Sequence, residues 1–350
     1  MSDHRSRSPA SLEEENRTLR AALTRLSEEK TKCEVEINRL SSSLTSFRLG
    51  SSNSQPGDYT SKFSKEFDVV GILGIGGGGC VFEVKNLLDE WKYAVKRIAV
   101  DPKDEKIAKT LREVRAMAQL DHPGIIRYNS TWIEEPPEDW QYDVDDAILQ
   151  KIQSRKRQLL DYNPNSVFIY IQMQLCNYSL SNWLSENTTP ASRDLPRMKG
   201  WFKQMVQAVD YIHEKNLIHR DLKPANILFV EKDRLKICDM GIVIEQKKEN
   251  GVEVTMTRTG SGTEEYMGPE QRNLFISKVN SKSDVFTLGL ILAELCVVMD
   301  DYNKKVKIFD NYRSGKPNNI FTDDRTAEFV RKLTEPDRKN RPTCRKMLDD

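Results

Sequence analysis

The run His219-Arg220-Asp221-Leu222-Lys223-Pro224-Ala225-Asn226 constrains this chain more than any other stretch, because it sets a carboxylate, an ammonium and a carboxamide within six residues. Asp221 is placed to accept a proton, Lys223 to neutralise an anion, and Asn226 to offer an oxygen to a hard cation. Eighteen residues past Asp221, after the strand-like Leu235-Lys236-Ile237-Cys238, comes Asp239-Met240-Gly241, a second carboxylate of the kind that chelates Mg²⁺. Upstream stands Gly74-Ile75-Gly76-Gly77-Gly78-Gly79-Cys80-Val81, with a β pattern before it and another after. Glycine lets phosphates approach backbone N–H groups closely. Alone, this pattern also fits a dinucleotide site, but that site needs a helix after the glycines. Here β-formers follow, which favours a hairpin lid.

Tyr93-Ala94-Val95-Lys96 then ends an apolar strand on a lysine. A surface lysine is the plain reading of such a residue taken alone. A partner in the helical stretch Leu111–Met117 changes that reading, since a Lys96–Glu113 ion pair would hold the ammonium against α- and β-phosphates. Together the four motifs supply positioning and charge neutralisation, the main requirements of phosphoryl transfer from ATP.

Around these motifs the chain changes character. Phe67–Leu73, Val81–Val84, Tyr93–Ile98, Ile125–Ile133 and Val167–Leu175 read as strands, Ile107–Leu120 as a helix, and the chain after Ser179 as mostly helical. A small β-rich lobe followed by a larger helical one is an α+β layout. Residues 134–166 interrupt the small lobe, acidic first and basic later, with three prolines. The composition predicts a disordered insert, with a partly helical stretch around Ile148–Leu160 as the alternative. The apolar run Phe286–Met299 contains Glu294 and is too short to span a bilayer, so it reads as a buried helix.

Residues 1–10 read as a polar tail. Over residues 11–48, Leu12, Leu19, Leu26, Cys33, Leu40 and Phe47 recur every seventh position, with Leu23, Ile37 and Leu44 among the intervening core positions. That repeat predicts a coiled coil that makes a homodimer; a single amphipathic helix packed on its own domain is the rival. Residues 49–62 are a Ser- and Gly-rich linker. A net charge of +1 gives no field to favour nucleic acid or an anionic membrane, and no nucleic-acid module is recognisable. Six scattered cysteines without a Cys-x-x-Cys pair and the absence of a signal-peptide pattern point to a reducing, cytoplasmic setting.

At this point residues 63–350 resemble the protein kinase superfamily, with a bilobal fold, an N-lobe over 63–175 and a C-lobe over 176–350. The resemblance implies that Leu73, Gly74, Gly76, Gly79, Val81, Ala94 and Leu228 enclose ATP. Met173 then precedes the hinge, and Gln174 to Cys176 offer backbone groups to adenine. Asp221 is then the base, Lys223 and Lys96 the phosphate ligands with Glu113 behind Lys96, and Asn226 and Asp239 the Mg²⁺ ligands. Asp284 resembles the aspartate that steadies the catalytic loop, and Glu270 and Arg341 a structural pair. Lys223 and the stretch Gly262-Thr263 to Met267 imply serine/threonine specificity. Arg220 beside the base implies a phosphate in the segment before Glu270, with Thr257, Thr259 and Thr263 as candidates.

More narrowly, Tyr170–Cys176, His122–Tyr128 with Trp132, and Gly262–Gln271 resemble the kinases of the translation initiation factor 2 α subunit. That family suppresses translation under stress and is activated by dimerisation and autophosphorylation. A kinase-like regulator without activity is the alternative, but Lys96, Glu113, Asp221, Asn226 and Asp239 are all present. The chain departs from the family's usual pattern at Gly78, where an aromatic usually tips the lid, at Met240 in place of Phe, and at Asp300-Asp301-Tyr302, where a threonine is usual. Four consecutive glycines make a loose lid, so Gly78→Phe should bind ATP more tightly in a nucleotide titration; unchanged affinity would contradict this reading.

Overall fold

The computed structural model of the chain describes residues 59–76, 79–101, 103–104, 106–137, 139–153, 159, 166–239, 244–245, 248–249, 252–253, 264–272, 280–299, 301–317 and 320–349. The predicted coiled coil, the linker up to residue 58, Gly78, Met240, Asp300 and the candidate phosphosites Thr257, Thr259 and Thr263 lie outside them. One compact unit comprises Thr60–Pro102 and Thr110–Asp350.

The unit begins with a single turn of helix, α1 (Lys62–Glu66), capped by the Ser61 hydroxyl, which accepts from the Ser64 amide at 3.1 Å. Five antiparallel strands follow: β1 (Phe67–Gly76), β2 (Gly79–Asn86), β3 (Lys92–Val100), β4 (Tyr128–Glu134) and β5 (Val167–Gln174), in the order β1-β2-β3-β5-β4. Helix α2 (Lys106–Ala118) joins β3 towards β4. Side chains alternate across a pleated strand, so neighbours on β3 face opposite ways. Cys80, Phe82 and Val84 share a core with Val95, Phe168 and Tyr170 on one face, closed by Phe63 and Phe67. Lys96 and Ala94 lie on the other, opposite Ile171 and Met173 of β5.

The first face carries the main departure from expectation. Where composition predicts disorder, residues Trp140–Lys151 form helix α3. Its buried residues are Gln141, Asp145, Ile148 and Leu149, at helical spacing. Asp145 receives both terminal nitrogens of Arg97 at 2.6 Å, and Gln141 Nε2 donates to its Oδ1 at 2.9 Å. Arg97 is 0% exposed and lies over the rings of Phe82 and Phe168. The helix escapes a hydrophobicity reading because half of its inward face is polar, and that half is matched to a buried guanidinium.

The helical part is built around α5 (Leu195–Glu214) and α7 (Ser281–Cys296), preceded by the two-residue strand β6 (Tyr178–Ser179) and the short α4 (Leu180–Glu186). Asp194 caps α5 and Pro196 occupies its first turn, where a missing N–H costs nothing. Met198, Trp201, Met205, Val209 and Ile212 run down its buried face. Helix α7 is buried from Ser283 to Leu295, as the apolar run Phe286–Met299 led one to expect. At Gly289 any Cβ would come within 2.6 Å of Thr334 Cγ2, so glycine sets the approach of α7 to the segment ending α9 (Asp324–Leu333). Helices α6 (Pro269–Arg272), α8 (Tyr302–Arg313) and α10 (Cys344–Asp349) complete this part. Among the described residues no helix is long and apolar enough to cross a membrane.

Breaking one side of a buried ion pair leaves an uncompensated charge and costs about 3–5 kcal/mol. Asp145→Ala should therefore lower the unfolding midpoint sharply in a thermal melt. The double variant Arg97→Met with Asp145→Leu should recover most of the loss; equal melting of Asp145→Ala and the unaltered chain would show that α3 is not held by this pair.

Candidate active site

The loop between β7 (Leu217–Ile218) and β8 (Ile227–Glu231) carries the first motif and is suspended from one buried carboxylate. Asp284, in the first turn of α7, accepts the amides of His219 and Arg220, both at 2.9 Å, and meets His213 Nε2 at 2.8 Å. Burial pushes the Asp284 carboxyl up, but His213, with His219 and the Arg220 amide, outweighs it and holds the group below its ordinary value. Arg220 adopts a left-handed backbone, φ 67°, a conformation that costs energy and persists only where the surroundings over-determine it. Gln271 Nε2 helps by donating to the Arg220 carbonyl at 3.3 Å. Below the loop, Arg341 holds Glu270 through two bonds of 2.6 and 2.9 Å.

On this frame Lys223 Nζ lies 3.0 Å from Asp221 Oδ2. Asn226 Nδ2 donates to the Asp221 carbonyl at 2.8 Å and to Asp221 Oδ2 at 3.1 Å. The second carboxylate follows β9 (Arg234–Ile237). The Cys238 amide donates to the Asn226 carbonyl at 2.9 Å, and His219 Nε2 lies 3.2 Å from the Cys238 carbonyl, so Asp239 is tied to the loop through its neighbour. Asp239 is itself left-handed, φ 55°. Lys96 Nζ reaches its Oδ1 at 2.5 Å from across the sheet. Burial raises the Asp239 carboxyl, and Lys96, with His219 and Lys223, more than reverses this, so the group sits low.

The structure therefore places Lys96 on Asp239 rather than on Glu113, which α2 carries. Asp239 holds the ammonium because its Oδ1 lies 2.5 Å from Nζ, and attraction scales inversely with distance. Asp239, Lys96, Asp221, Lys223 and Asn226 are thus brought together in two linked groups; Glu113 is not joined to them by an ion pair to Lys96.

The glycines divide by role. Gly79 has φ +117°, and a Cβ there would lie 2.3 Å from the Arg97 carbonyl oxygen, so the sheet itself requires glycine. Gly74 and Gly76 would meet nothing within 4 Å, leaving space above the strand ends. Ala94 pairs with Met173 across β3 and β5, and Val81 pairs with Lys96 across β2 and β3. Leu228 pairs with Lys236 in β8–β9. Leu73 is exposed, and the Gln174 amide is already engaged with the Arg127 carbonyl at 2.9 Å. Burial pushes the Cys176 thiol up, which disfavours its thiolate.

Two carboxylates, two ammonium groups and a carboxamide in one region can neutralise a polyanion and offer oxygen ligands to a hard cation. Among the described residues no three His, Cys, Asp or Glu side chains gather tightly enough to hold a metal alone. That donor set suits Mg²⁺, which commonly takes one or two protein oxygens and completes its shell with phosphates and water. His213 is the functional neighbour that the sequence reading missed; its position in the last turn of α5, facing α7, was the available signal.

A carboxyl held below its ordinary value of about 3.9 lends stability above that pH, which fades as pH falls through the depressed folded value. In urea denaturation at successively lower pH, the chain should lose stability on the acid side more steeply than Asp284→Asn. Parallel slopes would contradict the pairing of Asp284 with His213 and the loop amides.

Comparison with known proteins agrees with this arrangement. The family model described as protein kinase domain matches residues 67–350. Interferon-induced, double-stranded RNA-activated protein kinase of Rattus norvegicus is 33% identical over 288 residues, covering 82% of this chain and 52% of that protein. Eukaryotic translation initiation factor 2-alpha kinase pek-1 of Caenorhabditis elegans is 23% identical over 474 residues, with 82% and 44% covered. The eIF-2-alpha kinase GCN2 of Schizosaccharomyces pombe is 24% identical over 376 residues, with 83% and 23% covered. The chain spans about half the length of the first of these and less of the others.

Proposed function

The chain belongs to the protein kinase family, and from that premise we propose that it is a serine/threonine kinase whose acceptor is the α subunit of translation initiation factor 2. The acceptor is supported by relatives whose names carry that substrate, and the phosphoryl transfer by the meeting of the Lys96–Asp239 pair with the Asp221–Lys223–Asn226 loop.

In this reading Asp221 accepts the proton of the acceptor hydroxyl, and Lys223, 3.0 Å away, neutralises the phosphoryl group in transit. Asn226 and Asp239 would hold Mg²⁺, which would supply charge neutralisation to the phosphates of ATP. Lys96 exchanges part of its contact with Asp239 for phosphate oxygens, and Glu113 receives it in that arrangement. Gly74, Gly76 and Gly79 bring the β1–β2 hairpin over the phosphates. Leu73, Val81, Ala94 and Leu228 enclose the adenine, with Met173 behind it and Gln174 to Cys176 alongside. Residues 11–48 hold two chains together in the cytoplasm, and the resulting high local concentration favours phosphorylation of one chain by the other at Thr257 or Thr259, Thr263 being structural.

The test is transfer of label from γ-³²P-ATP to purified initiation factor 2 α subunit, alongside a subunit whose acceptor serine is replaced by alanine. Of the two subunits only the unaltered one should take up label, and that label should vanish with Asp221→Asn. Label on the chain itself but none on the subunit would overturn the substrate while leaving the kinase intact.

A further inference from the structure

The strip Glu264–Met267 lies just before α6, and every one of its carbonyls is taken by a side chain from elsewhere. Arg272 donates twice to the Glu264 carbonyl, at 3.1 and 3.2 Å. Arg313 of α8 donates to the carbonyls of Glu265 and Met267, the latter at 2.8 Å. The Thr287 hydroxyl donates to that of Tyr266 at 3.0 Å. Asp310 joins the two arginines, at 2.8 and 2.7 Å.

The side chains of the strip are held as firmly. Lys305, also on α8, lies 2.5 Å from Glu265 Oε1 and 2.7 Å from Glu294 Oε1 and donates to the Tyr266 hydroxyl at 3.0 Å. That hydroxyl donates to Glu294 Oε2 at 2.5 Å. Burial lowers the Lys305 ammonium, but Glu294 and Glu265 outweigh it and hold it above its ordinary value, in keeping with one cation shared by two carboxylates.

The strip is also tied to the loop of Asp221. The Gly268 amide donates to Gln271 Oε1 at 3.1 Å, and Gln271 Nε2 donates to the carbonyl of Arg220, the residue before Asp221. A protein segment that presents a hydroxyl to Asp221 must therefore lie beside the strip. So much fixed polar bonding sets one conformation; Arg272 of α6 and Thr287 and Glu294 of α7 share in it, and Lys305 and Arg313 supply it from α8.

We propose that Lys305 and Arg313 are positioning residues: from α8 they set the Glu264–Met267 strip as the platform for the protein acceptor, and so control acceptor affinity without touching ATP. The inference rests on the kinase activity and not on which protein is the acceptor. Without Lys305 the carboxylates of Glu265 and Glu294 and the Tyr266 phenol face one another without the ammonium they share, and the strip moves to separate them.

The experiment measures KM for the acceptor, KM for ATP and acceptor-independent ATP hydrolysis, with two acceptors: purified initiation factor 2 α subunit and the Asp221→Asn copy of this chain. If the subunit is not phosphorylated by the unaltered chain, the proposed substrate fails and the inference is read on the copy. Lys305→Met should raise acceptor KM about tenfold with ATP KM and ATP hydrolysis unchanged. Lys305→Arg, or Glu265→Gln added to Lys305→Met, should restore it. Asp310→Asn, which frees both arginines at a half-exposed position, should raise acceptor KM about threefold and serves if Lys305→Met does not fold. Unchanged acceptor KM in Lys305→Met, or in Asp310→Asn where that variant serves, or a parallel fall of acceptor phosphorylation, ATP hydrolysis and melting temperature, would overturn the proposal.

Discussion

Two adjacent cations of one strand, Lys96 and Arg97, are sent to opposite faces of the same sheet, and each meets a carboxylate far along the chain. The alternation of a pleated strand makes this unavoidable once either is placed. On one face Lys96 reaches Asp239 and connects the sheet to the Asp221 loop. On the other, Arg97 reaches Asp145 and fixes α3 over the outer core. A slip of one residue in β3 would destroy both at once, so the register Lys96 to Ile171 is a condition of the site as much as of the sheet.

Charge is distributed in this protein by the same rule throughout: a buried or half-buried ion sits where another ion or several backbone groups answer it. Asp284 answers two amides and a histidine, Asp145 a whole guanidinium, and Lys305 two carboxylates and a phenol. Each arrangement is expensive to half-remove, because the surviving partner stays in a poor solvent for charge. Asp239 differs in being partly open, and its lysine is the one cation of these pairs that can be drawn away by a competing anion at modest cost.

What the sequence made legible was local chemistry. Asp221, Lys223 and Asn226 lie within six residues, so their meeting needs little help from tertiary structure. The strands and the buried helix α7 were legible from periodicity and apolar length. Less legible were pairings that only tertiary structure decides. Lys96 was expected on Glu113 because both stand out in the sequence, whereas the fold brings Asp239 closer. Helix α3 was hidden because its inward face includes Gln141 and Asp145, polar residues that a hydrophobic count assigns to solvent. Lys305 was hidden for the same reason, sitting with Lys304 and Lys307 in what reads as a solvated face. Asp301, noted only as a departure from the family's threonine, caps α8 by accepting the Lys304 amide at 2.6 Å.

In the proposed function Asp239 and Asn226 take a divalent cation together with the nucleotide. Mn²⁺, as a paramagnetic substitute for Mg²⁺, reports this directly through electron paramagnetic resonance in the presence of ATP. A nucleotide-dependent bound Mn²⁺ signal should be lost in Asp239→Asn, weakened in Asn226→Ala and retained in the double variant Arg97→Met with Asp145→Leu. An undiminished signal in Asp239→Asn would contradict the proposed function.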